Sequence, residues 1–369
     1  MVTKKVKCPS CGHETTIDVS PGETKIITCS SCGNKGKFSL PVENTKKSSG
    51  EPIIIVNNLS KNYKGFLSNN FLALNNISFT VEKGDIFGFL GPNGAGKTTT
   101  INIITTIIKQ TKGTIKINGF DLSKNPVDSK KKLGFMPDVP GFYPEMRAKD
   151  VLEYYAEFYK IPKEKRKKKI NELFNMMQLS DFKNRKVKTY SRGMKQKLGF
   201  ASSLLNDPEI LILDEPTNGL DPATIHFFRK VLRDLNKKGV TIFLSSHILS
   251  EVQSICNRVC IINKGKIIAV DTINNLSKMI NKKGSTTVII DYENINEKAL
   301  DEIIKIPGVL NIKNDKENKK IEIEIDTVKS IIPDINFILV KNKIRVNGIK
   351  TKETNLEDIF LSLTGGELK

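Results

Sequence analysis

The stretch DIFGFLGPNGAGKTTTINII, Asp85 to Ile104, decides how the rest of the sequence is interpreted. It begins with apolar residues that predict a β-strand, continues through a glycine-rich turn and ends in a helical pattern. Residues Gly91–Thr98 fit GxxxxGK[ST], in which glycines let successive N–H groups point at phosphate. The Lys97 ammonium adds a mobile charge, and the Thr98 hydroxyl can bind Mg²⁺. The stretch therefore predicts a nucleotide site in an α/β fold.

Two apolar runs further along the chain predict strands that end in polar residues. EILILDEP delivers Asp214 and Glu215, and GVTIFLSSH delivers His247. At the carboxyl end of a parallel strand, Asp214 can hold Mg²⁺ through water and Glu215 can act as a general base. A strand that merely ends in acids and a structural histidine are the alternatives. The predicted phosphate site favours catalytic roles, with His247 against the terminal phosphate.

A second anion site is predicted in TYSRGMKQKLGFA, Thr189 to Ala201. A Ser-Arg-Gly turn runs directly into a helical pattern, and a helix N-terminus presents unpaired N–H groups and a positive dipole end. Since Gly91–Thr98 already forms a complete phosphate site, we expect the anion that meets this turn to be held by another chain.

The amino-terminal segment carries four of the six cysteines in two CxxC pairs. Cys8 and Cys11 are followed, after a seventeen-residue gap, by Cys29 and Cys32. This spacing is typical of a four-cysteine zinc site, which would supply most of the folding energy of so short a segment. Iron is an alternative occupant, and disulfides are disfavoured without a secretion signal. Residues 1–40 thus resemble a structural zinc ribbon.

Other features are interpreted as structural. His13 is expected on the surface, because four sulfurs already complete a tetrahedron. Cys256 and Cys260 are expected in the core. PVENTKKSSGEP, residues 41–52, reads as a flexible linker.

Charge and hydropathy limit the possible partners. The formal net charge of the 369 residues is +19, and much of it lies in KIPKEKRKKKI, Lys160 to Ile170. Such a run can attract nucleic acid or anionic lipid, although a solvated helix face is the simpler interpretation. No apolar run is long enough to span a membrane, so we expect any membrane role to act through a partner.

After about residue 280 the pattern changes to alternating short strands and helices. The predicted order is βαββαβ with a final helix, including SIIPDINFILVKN as a proline-interrupted helix. This order predicts a small ferredoxin-like α+β domain over residues 280–369. We expect it to serve regulation or dimer support rather than chemistry, because it contains no His, no Cys and no glycine-rich phosphate loop.

Together these motifs resemble the ATPase subunit of an ATP-binding-cassette (ABC) transporter over about residues 53–275. The resemblance implies a P-loop NTPase cassette with a helical insert at about 135–205, preceded by the zinc ribbon and followed by the α+β domain. It also implies ATP, Mg²⁺ and Zn²⁺ as ligands. LSKNYKG puts Tyr63 where the family stacks an aromatic ring on adenine, GLD puts Asp221 in the family's D-loop, and Tyr190–Met194 occupies the position of its LSGGQ signature. The nucleotide-binding residues implied are Tyr63, Gly91, Pro92, Asn93, Gly94, Ala95, Gly96, Lys97, Thr98, Thr99, Asp138, Ser191, Gly193, Asp214 and Asp221, with Lys97, Glu215 and His247 as catalytic residues.

The sequence departs from the family pattern at two positions. Arg192 replaces the first glycine of the signature. Asp138, in LGFMPDVPGFY, stands where the family has a glutamine that touches magnesium, and we expect this carboxylate to act on Mg²⁺ through water.

The leading functional hypothesis is an ATP-hydrolysing subunit of the stand-alone export type. In that family two chains enclose two ATP molecules head to tail, so Ser191 and the Gly193 amide would meet the partner's nucleotide. The implied partners are a second ABC chain and a membrane permease gripped by the helical insert, which would hold the protein on the inner face of the cell membrane. The alternatives are a soluble cassette ATPase acting on nucleic acid or the translation machinery, and a scaffold with a vestigial ATPase.

Overall fold

The computed structural model describes residues 2–7, 13–19, 24–28, 30–33, 35–39, 50–63, 70–280, 285–326, 331–352, 356–357 and 359–360. The chain divides into two compact units, Met1–Lys47 and Ser48–Lys369. Most of the predicted linker, residues 41–52, lies outside the described ranges.

The described residues of the first unit form two antiparallel hairpins. Its strands are β1 Val2–Lys7, β2 Glu14–Val19, β3 Thr24–Thr28 and β4 Lys35–Ser39. β1 pairs with β2, and β3 pairs with β4. His13 is exposed, as predicted, and its Nε2 lies 3.2 Å from Ser30 Oγ, so the two hairpin connections lie side by side. Cys32 is exposed in the second connection, whereas Cys8, Cys11 and Cys29 fall outside the described residues.

The second unit begins with a cassette of strands and helices. In chain order these are β5 Pro52–Tyr63, β6 Phe71–Glu82, β7 Ile86–Leu90, α1 Lys97–Ile104, β8 Lys112–Ile117, β9 Phe120–Asp121, α2 Pro126–Lys130, β10 Leu133–Met136, α3 Ala148–Phe158, α4 Lys163–Met176, α5 Arg192–Ser203, β11 Ile210–Leu213, α6 Pro222–Lys237, β12 Thr241–Ser246, α7 Leu249–Ile255, β13 Arg258–Asn263, β14 Lys266–Thr272 and α8 Ile273–Ile280. Two short 3₁₀ turns, Ser180–Phe182 and Val187–Thr189, lie between α4 and α5.

Two sheets organise this cassette. The larger has the strand order β10-β11-β12-β7-β13-β14 and is parallel except for β14. The smaller is antiparallel, with the order β6-β5-β8-β9. Because parallel strands end at the same edge of a sheet, the segments after β7, β10, β11 and β12 meet at that edge. The topology therefore brings together four predicted site segments.

The core lies on both faces of the larger sheet. On one face Phe79, Phe87, Phe89 and Phe243 form an aromatic cluster with ring centroids 5.3 to 6.2 Å apart. The other face packs against helices α3 to α7. Burial on both faces explains why β7 and β12 read as continuous apolar runs rather than as alternating ones. Cys256 and Cys260 are buried in this core, which confirms that expectation.

The carboxyl-terminal part forms a separate sheet with two helices. Its elements are β15 Ser285–Tyr292, α9 Glu297–Ile304, β16 Val309–Asp315, β17 Lys320–Asp326, α10 Ile332–Lys341 and β18 Val346–Lys352. The strands are antiparallel in the order β16-β17-β15-β18, and a cluster of mainly isoleucines fills the core. The sequence prediction of an interrupted helix was wrong: Pro333 lies in the first turn of α10, where its missing N–H costs no helical hydrogen bond.

The last described residues return to the cassette. Leu356, Ile359 and Phe360 are buried in the cluster that contains Val252 and Ile255 of α7. The Leu356 N–H donates to Gln253 Oε1 at 3.0 Å. Among the described residues, no helix is both long and apolar enough to cross a membrane.

Candidate nucleotide-binding site

The glycine-rich turn connects β7 to the start of α1, as the sequence predicted. Its backbone is tightly enclosed: a Cβ on Gly91 would lie 2.2 Å from the Ile262 carbonyl oxygen. Gly96 precedes α1 with φ +109°, and a Cβ there would meet Leu74 at 2.6 Å. A side chain at either position would displace the turn, so glycine is required at both.

A cavity of about 380 Å³ opens beside this turn. It is lined by Phe71, Ala73, Pro92, Asn93, Gly94, Gly96, Lys97, Thr98, Thr99, Asp138, Glu215, Asn218 and His247. Its position at the carboxyl edge of the parallel sheet, beside a helix N-terminus, is suited to binding phosphate.

Lys97, Glu215 and His247 form a connected network in this cavity. Lys97 Nζ lies 3.2 Å from Glu215 Oε1 and donates to the Gly91 and Pro92 carbonyl oxygens at 2.7 and 3.2 Å. His247 Nδ1 lies 2.8 Å from Glu215 Oε2. Lys97 and Glu215 are only 5% and 8% exposed. In this arrangement, the glutamate is the anionic partner of the lysine.

Asp214 lies behind the network, at the end of β11. Its Oδ1 accepts a hydrogen bond from Ser245 Oγ at 2.6 Å, and Thr98 also hydrogen-bonds to the carboxylate. Ser245 Oγ in turn accepts from the Glu215 N–H at 2.9 Å. Burial is the main reason that the pKa of Asp214 is raised, and the nearby charges of Glu215 and Asp138 act in the same direction. A cation would relieve this unfavourable burial of charge.

Asp138 follows β10 and lines the same cavity. Its Oδ1 is buried and has no hydrogen-bond partner. An orphaned carboxylate oxygen, the Asp214 carboxylate and the Thr98 hydroxyl are hard oxygen ligands, and this set fits Mg²⁺. Within the described ranges, no three His, Cys, Asp or Glu side chains converge as a complete metal site. Mg²⁺ sites usually combine one or two carboxylates with substrate phosphates.

The Ser191 turn begins a helix, as predicted, and lies outside this cavity. Ser191 is the N-cap of α5, and its Oγ accepts from the Met194 N–H at 3.2 Å. Neither Ser191 nor Gly193 belongs to the cavity lining. The Arg192 guanidinium lies over Gly219, where a Cβ would be 2.6 Å from its Cζ. The departure from the family signature therefore contacts the GLD segment of the same chain.

Two further predicted residues lie near the ends of elements. Asp221 is the N-cap of α6 and accepts hydrogen bonds from Thr224 Oγ1 at 2.7 Å and from the Thr224 N–H at 2.9 Å, and these two hydrogen bonds lower its pKa. Tyr63 ends β5, is 40% exposed, and pairs in register with Phe71. Phe71, not Tyr63, appears in the cavity lining.

The sequence interpretation missed several residues of this site. Ser245 orders both Asp214 and Glu215, and its only sequence signal is its place two residues before His247. Phe71 and Asn218 line the cavity without any motif that marks them. Gln196 donates to the Asp138 carbonyl oxygen at 3.0 Å, which becomes visible only once α5 and β10 are packed together.

Comparison with known proteins agrees with this geometry. A protein-family model described as ABC transporter matches residues 74–218. The chain is 37% identical over 315 residues to the uncharacterized ABC transporter ATP-binding protein YhcH of Bacillus subtilis, covering 85% of this chain and 96% of the relative. The chain belongs to the ATP-binding proteins of ABC transporters. It is an ABC-type ATPase that serves a transport system.

Relatives in this family have named transport roles. The bacitracin transport ATP-binding protein BcrA of Bacillus licheniformis is 37% identical, over 80% of this chain and 93% of the relative. The linearmycin resistance ATP-binding protein LnrL of Bacillus subtilis is 31% identical, over 89% of this chain and 99% of the relative. The YhcH match spans 315 residues, whereas α8 ends at Ile280. The similarity therefore extends beyond α8 into the carboxyl-terminal part.

Solved structures share the cassette. An ATP-binding subunit of an ABC transporter superposes with a TM-score of 0.56 and 29% identity, over 63% of this chain and 95% of that chain. A dimeric post-hydrolysis structure of the ATP-binding cassette MJ0796, bound to ADP and phosphate, gives a TM-score of 0.56 and 26% identity, over 60% and 98%.

Proposed function

We propose that this ABC ATPase drives export through a separate membrane permease, by closing head to tail on a second ABC chain around ATP. The observation that carries the proposal is the separation of Ser191 and Gly193 from the cavity that holds Lys97, Glu215 and His247. In one chain, the phosphate site beside Gly91–Thr98 therefore lacks a signature turn. The signature turn at Ser191 and Gly193, in turn, faces no phosphate site of its own chain. The dimeric ADP-bound relative supports this pairing.

The glycine-rich turn and the acidic, basic and histidine side chains near it would share the work of ATP hydrolysis. The Gly91–Thr98 backbone would hold the β- and γ-phosphates, with Lys97 neutralising their charge. Thr98 and Asp214 would hold Mg²⁺, with Asp138 acting through water, and the ion supplies charge neutralisation to the phosphates. Glu215 would accept the proton of the attacking water, and His247, already within hydrogen-bond distance of Glu215, would contact the γ-phosphate.

The remaining predicted residues would act on adenine and across the dimer. Tyr63 would stack on adenine, and its partner in register, Phe71, lies on the cavity wall and supports that position. Ser191, the Gly193 amide and the α5 N-terminus would bind the γ-phosphate held by the partner. Asp221 would lie at the same junction. Two chains would then complete two active sites.

Trapping the dimer tests this proposal. The Glu215→Gln protein lacks the proposed general base for hydrolysis but keeps Lys97, which binds the phosphates. Mg²⁺–ATP should therefore convert this protein to a stable dimer. Light scattering after size-exclusion chromatography measures the mass. Lys97→Ala is the matched control and should stay monomeric. A Glu215→Gln protein that stays monomeric at saturating Mg²⁺–ATP contradicts the proposal.

A basic groove supports the permease partner. A cleft of about 1340 Å³ lies among α2, α3 and α4, and seven of its lining residues are lysines: Lys130, Lys131, Lys132, Lys160, Lys165, Lys168 and Lys169. Phe158, on its wall, is 77% exposed. An exposed aromatic ring beside positive charge suits an amphipathic, acidic segment of a membrane subunit. Co-purification with a polytopic membrane protein from detergent extracts is the expected result, and it would place the ATPase on the inner face of the membrane.

The nucleic-acid alternative is less well supported. The basic residues favour it in principle, but the relatives with named roles are transport and resistance ATP-binding proteins. Co-purification with RNA instead of membrane protein would reverse this preference.

A zinc ribbon at the amino terminus is also proposed. Each CxxC pair lies in the chain between the two strands of one hairpin, and the contact between His13 and Ser30 puts the two connections side by side. Four thiolates at such a point fit Zn²⁺. We expect one Zn²⁺ per chain, released by a mercurial reagent and detected with a chromophoric chelator, and no Zn²⁺ in a Cys8→Ser, Cys32→Ser protein. A wild-type chain without bound zinc contradicts this assignment.

The carboxyl-terminal part is proposed to be a ferredoxin-like accessory domain over about residues 280–369, after a cassette over about 53–275. The βαββαβ element order and the strand order β16-β17-β15-β18 support it. A deletion variant that lacks β15 to β18 and joins residues 353–369 to α8 tests this assignment. We expect its ATP turnover to remain measurable, because the deleted elements have no proposed catalytic role.

A further inference from the structure

One carboxylate oxygen of Asp138 is buried in a position where no protein group hydrogen-bonds to it. Its Oδ1 is buried without a hydrogen-bond partner, and the side chain lines the cavity shared by Lys97 and Thr98. Burying a carboxylate oxygen without a donor is costly, because water no longer solvates its charge. A folded protein keeps such a group where a ligand supplies the missing partner.

The nearest charged groups and the Thr98 hydroxyl do not supply that partner in this structure. The nearby carboxylates Asp214 and Glu215 have the same sign of charge as Asp138. The Lys97 ammonium is already bound to Glu215 and to two carbonyl oxygens. The Thr98 hydroxyl bonds to Asp214. A cation that arrives with the nucleotide would supply the missing partner and would also relieve the repulsion among the three carboxylates.

The backbone of Asp138 is fixed to the helix that begins at Ser191. Gln196 of α5 is 3% exposed, and its Nε2 donates to the Asp138 carbonyl oxygen at 3.0 Å. Gly199, one turn further along α5, allows Pro140 to approach so closely that a Cβ would lie 2.6 Å from Pro140 Cγ. The backbone that carries the Asp138 carboxylate therefore cannot shift without moving against α5.

We propose that Asp138 makes this ATPase sense the divalent cation rather than the nucleotide alone, and that Gln196 is the positioning residue that couples Asp138 to α5. The inference rests on the proposed ATP site and deepens it. Metal-free ATP brings four negative charges toward an unneutralised carboxylate and is repelled, whereas Mg²⁺–ATP supplies the cation that the carboxylate lacks. A neutral amide at this position would not distinguish the two forms in this way.

The coupling has a consequence for the dimer. Arrival of the cation in the site of one chain acts, through Asp138 and Gln196, on the helix whose first turn completes the site of the partner. Nucleotide without metal would therefore be a poor trigger of dimer closure in this protein.

Binding measurements test the proposal without relying on turnover. Isothermal titration calorimetry with the β,γ-imido analogue of ATP gives the dissociation constant with Mg²⁺ and with EDTA, and the ratio of the two is the readout. In full-length Asp138→Asn we expect tighter metal-free binding and a ratio lower than wild type by about tenfold or more. Asp207→Asn removes the same charge from an exposed aspartate outside the cavity and should leave the ratio unchanged.

Gln196→Met tests the positioning role. It keeps the carboxylate but removes the donor that fixes the Asp138 backbone, so we expect the ratio to fall part of the way toward that of Asp138→Asn. A loss of stability alone would not change the ratio of the two dissociation constants, and thermal melting measures stability separately. If Asp138→Asn does not fold, Asp138→Gln is the replacement.

The possible outcomes separate the role of Asp138 from the existence of the ATP site. A wild-type ratio in Asp138→Asn overturns the role of Asp138, and a wild-type ratio in Gln196→Met overturns the coupling. Absence of nucleotide binding by the wild-type chain under both conditions overturns the proposed ATP site itself.

Discussion

At the residue scale, Ser191 combines two tasks that a pair of substitutions can separate. It caps α5 through the Met194 N–H, and it is proposed to bind the partner's γ-phosphate. Ser191→Ala loses both, and loss of an N-cap costs about 1 kcal/mol of stability. Ser191→Asp keeps a capping oxygen and suits the helix dipole, but adds negative charge where phosphate must approach.

We therefore expect Ser191→Asp to melt at nearly the wild-type temperature and to lose ATP-driven dimerisation completely in the Glu215→Gln background. Thermal melting and light scattering measure the two properties. Normal dimerisation of Ser191→Asp would mean that no phosphate meets this turn.

Also at the residue scale, Lys97 and Glu215 serve as charge partners for each other. Their contact at 3.2 Å is buried, and each ion depends on the other for its charge partner. The γ-phosphate would take over Lys97 and release Glu215 toward water. Motifs predicted these two side chains, because a phosphate site dictates their type and spacing. Motifs could not predict their mutual contact, which depends on β7 and β11 both pairing with β12.

At the element scale, the last described residues pack into the core of the cassette rather than against the carboxyl-terminal sheet. Phe360 is 2% exposed in the cluster that contains α7, the helix that follows His247. Removing a buried Phe side chain costs about 3–5 kcal/mol, since a cavity remains.

We expect Phe360→Ala to lower the free energy of unfolding of the cassette by about that amount in urea titrations. Phe337→Ala, at a phenylalanine 70% exposed on α10, is the control and should change it by less than about 0.5 kcal/mol. Equal effects would show that the carboxyl-terminal segment does not belong to the cassette core.

The same scale shows what sequence patterns can and cannot predict. β7, β11, β12 and α5 were predictable because burial on both faces, strand ends and caps leave local traces. The packing of Leu356 against α7 was not predictable, because a short apolar stretch does not indicate which distant element it contacts. The orphaned oxygen of Asp138 was also beyond sequence, since motif spacing reports which residue type is present and not which donors are missing.

At the scale of the whole molecule, the proposed mechanism requires that two chains each contribute residues to the same active site. The cavity beside Gly91–Thr98 is lined by Lys97, Glu215 and His247, but not by Ser191 or Gly193 of the same chain. The residues that would complete it are the N-cap and first turn of α5. Under this proposal ATP binding and dimer closure are one event, and the permease would receive the resulting motion.

The most direct measurement of this claim is the structure of the Glu215→Gln protein trapped with Mg²⁺–ATP. The account predicts Ser191 Oγ of one chain within hydrogen-bond distance, about 3 Å, of the γ-phosphate held by Lys97 of the other chain. A structure in which Ser191 lies far from every nucleotide, with each chain holding its own ATP in a closed and complete site, would contradict it.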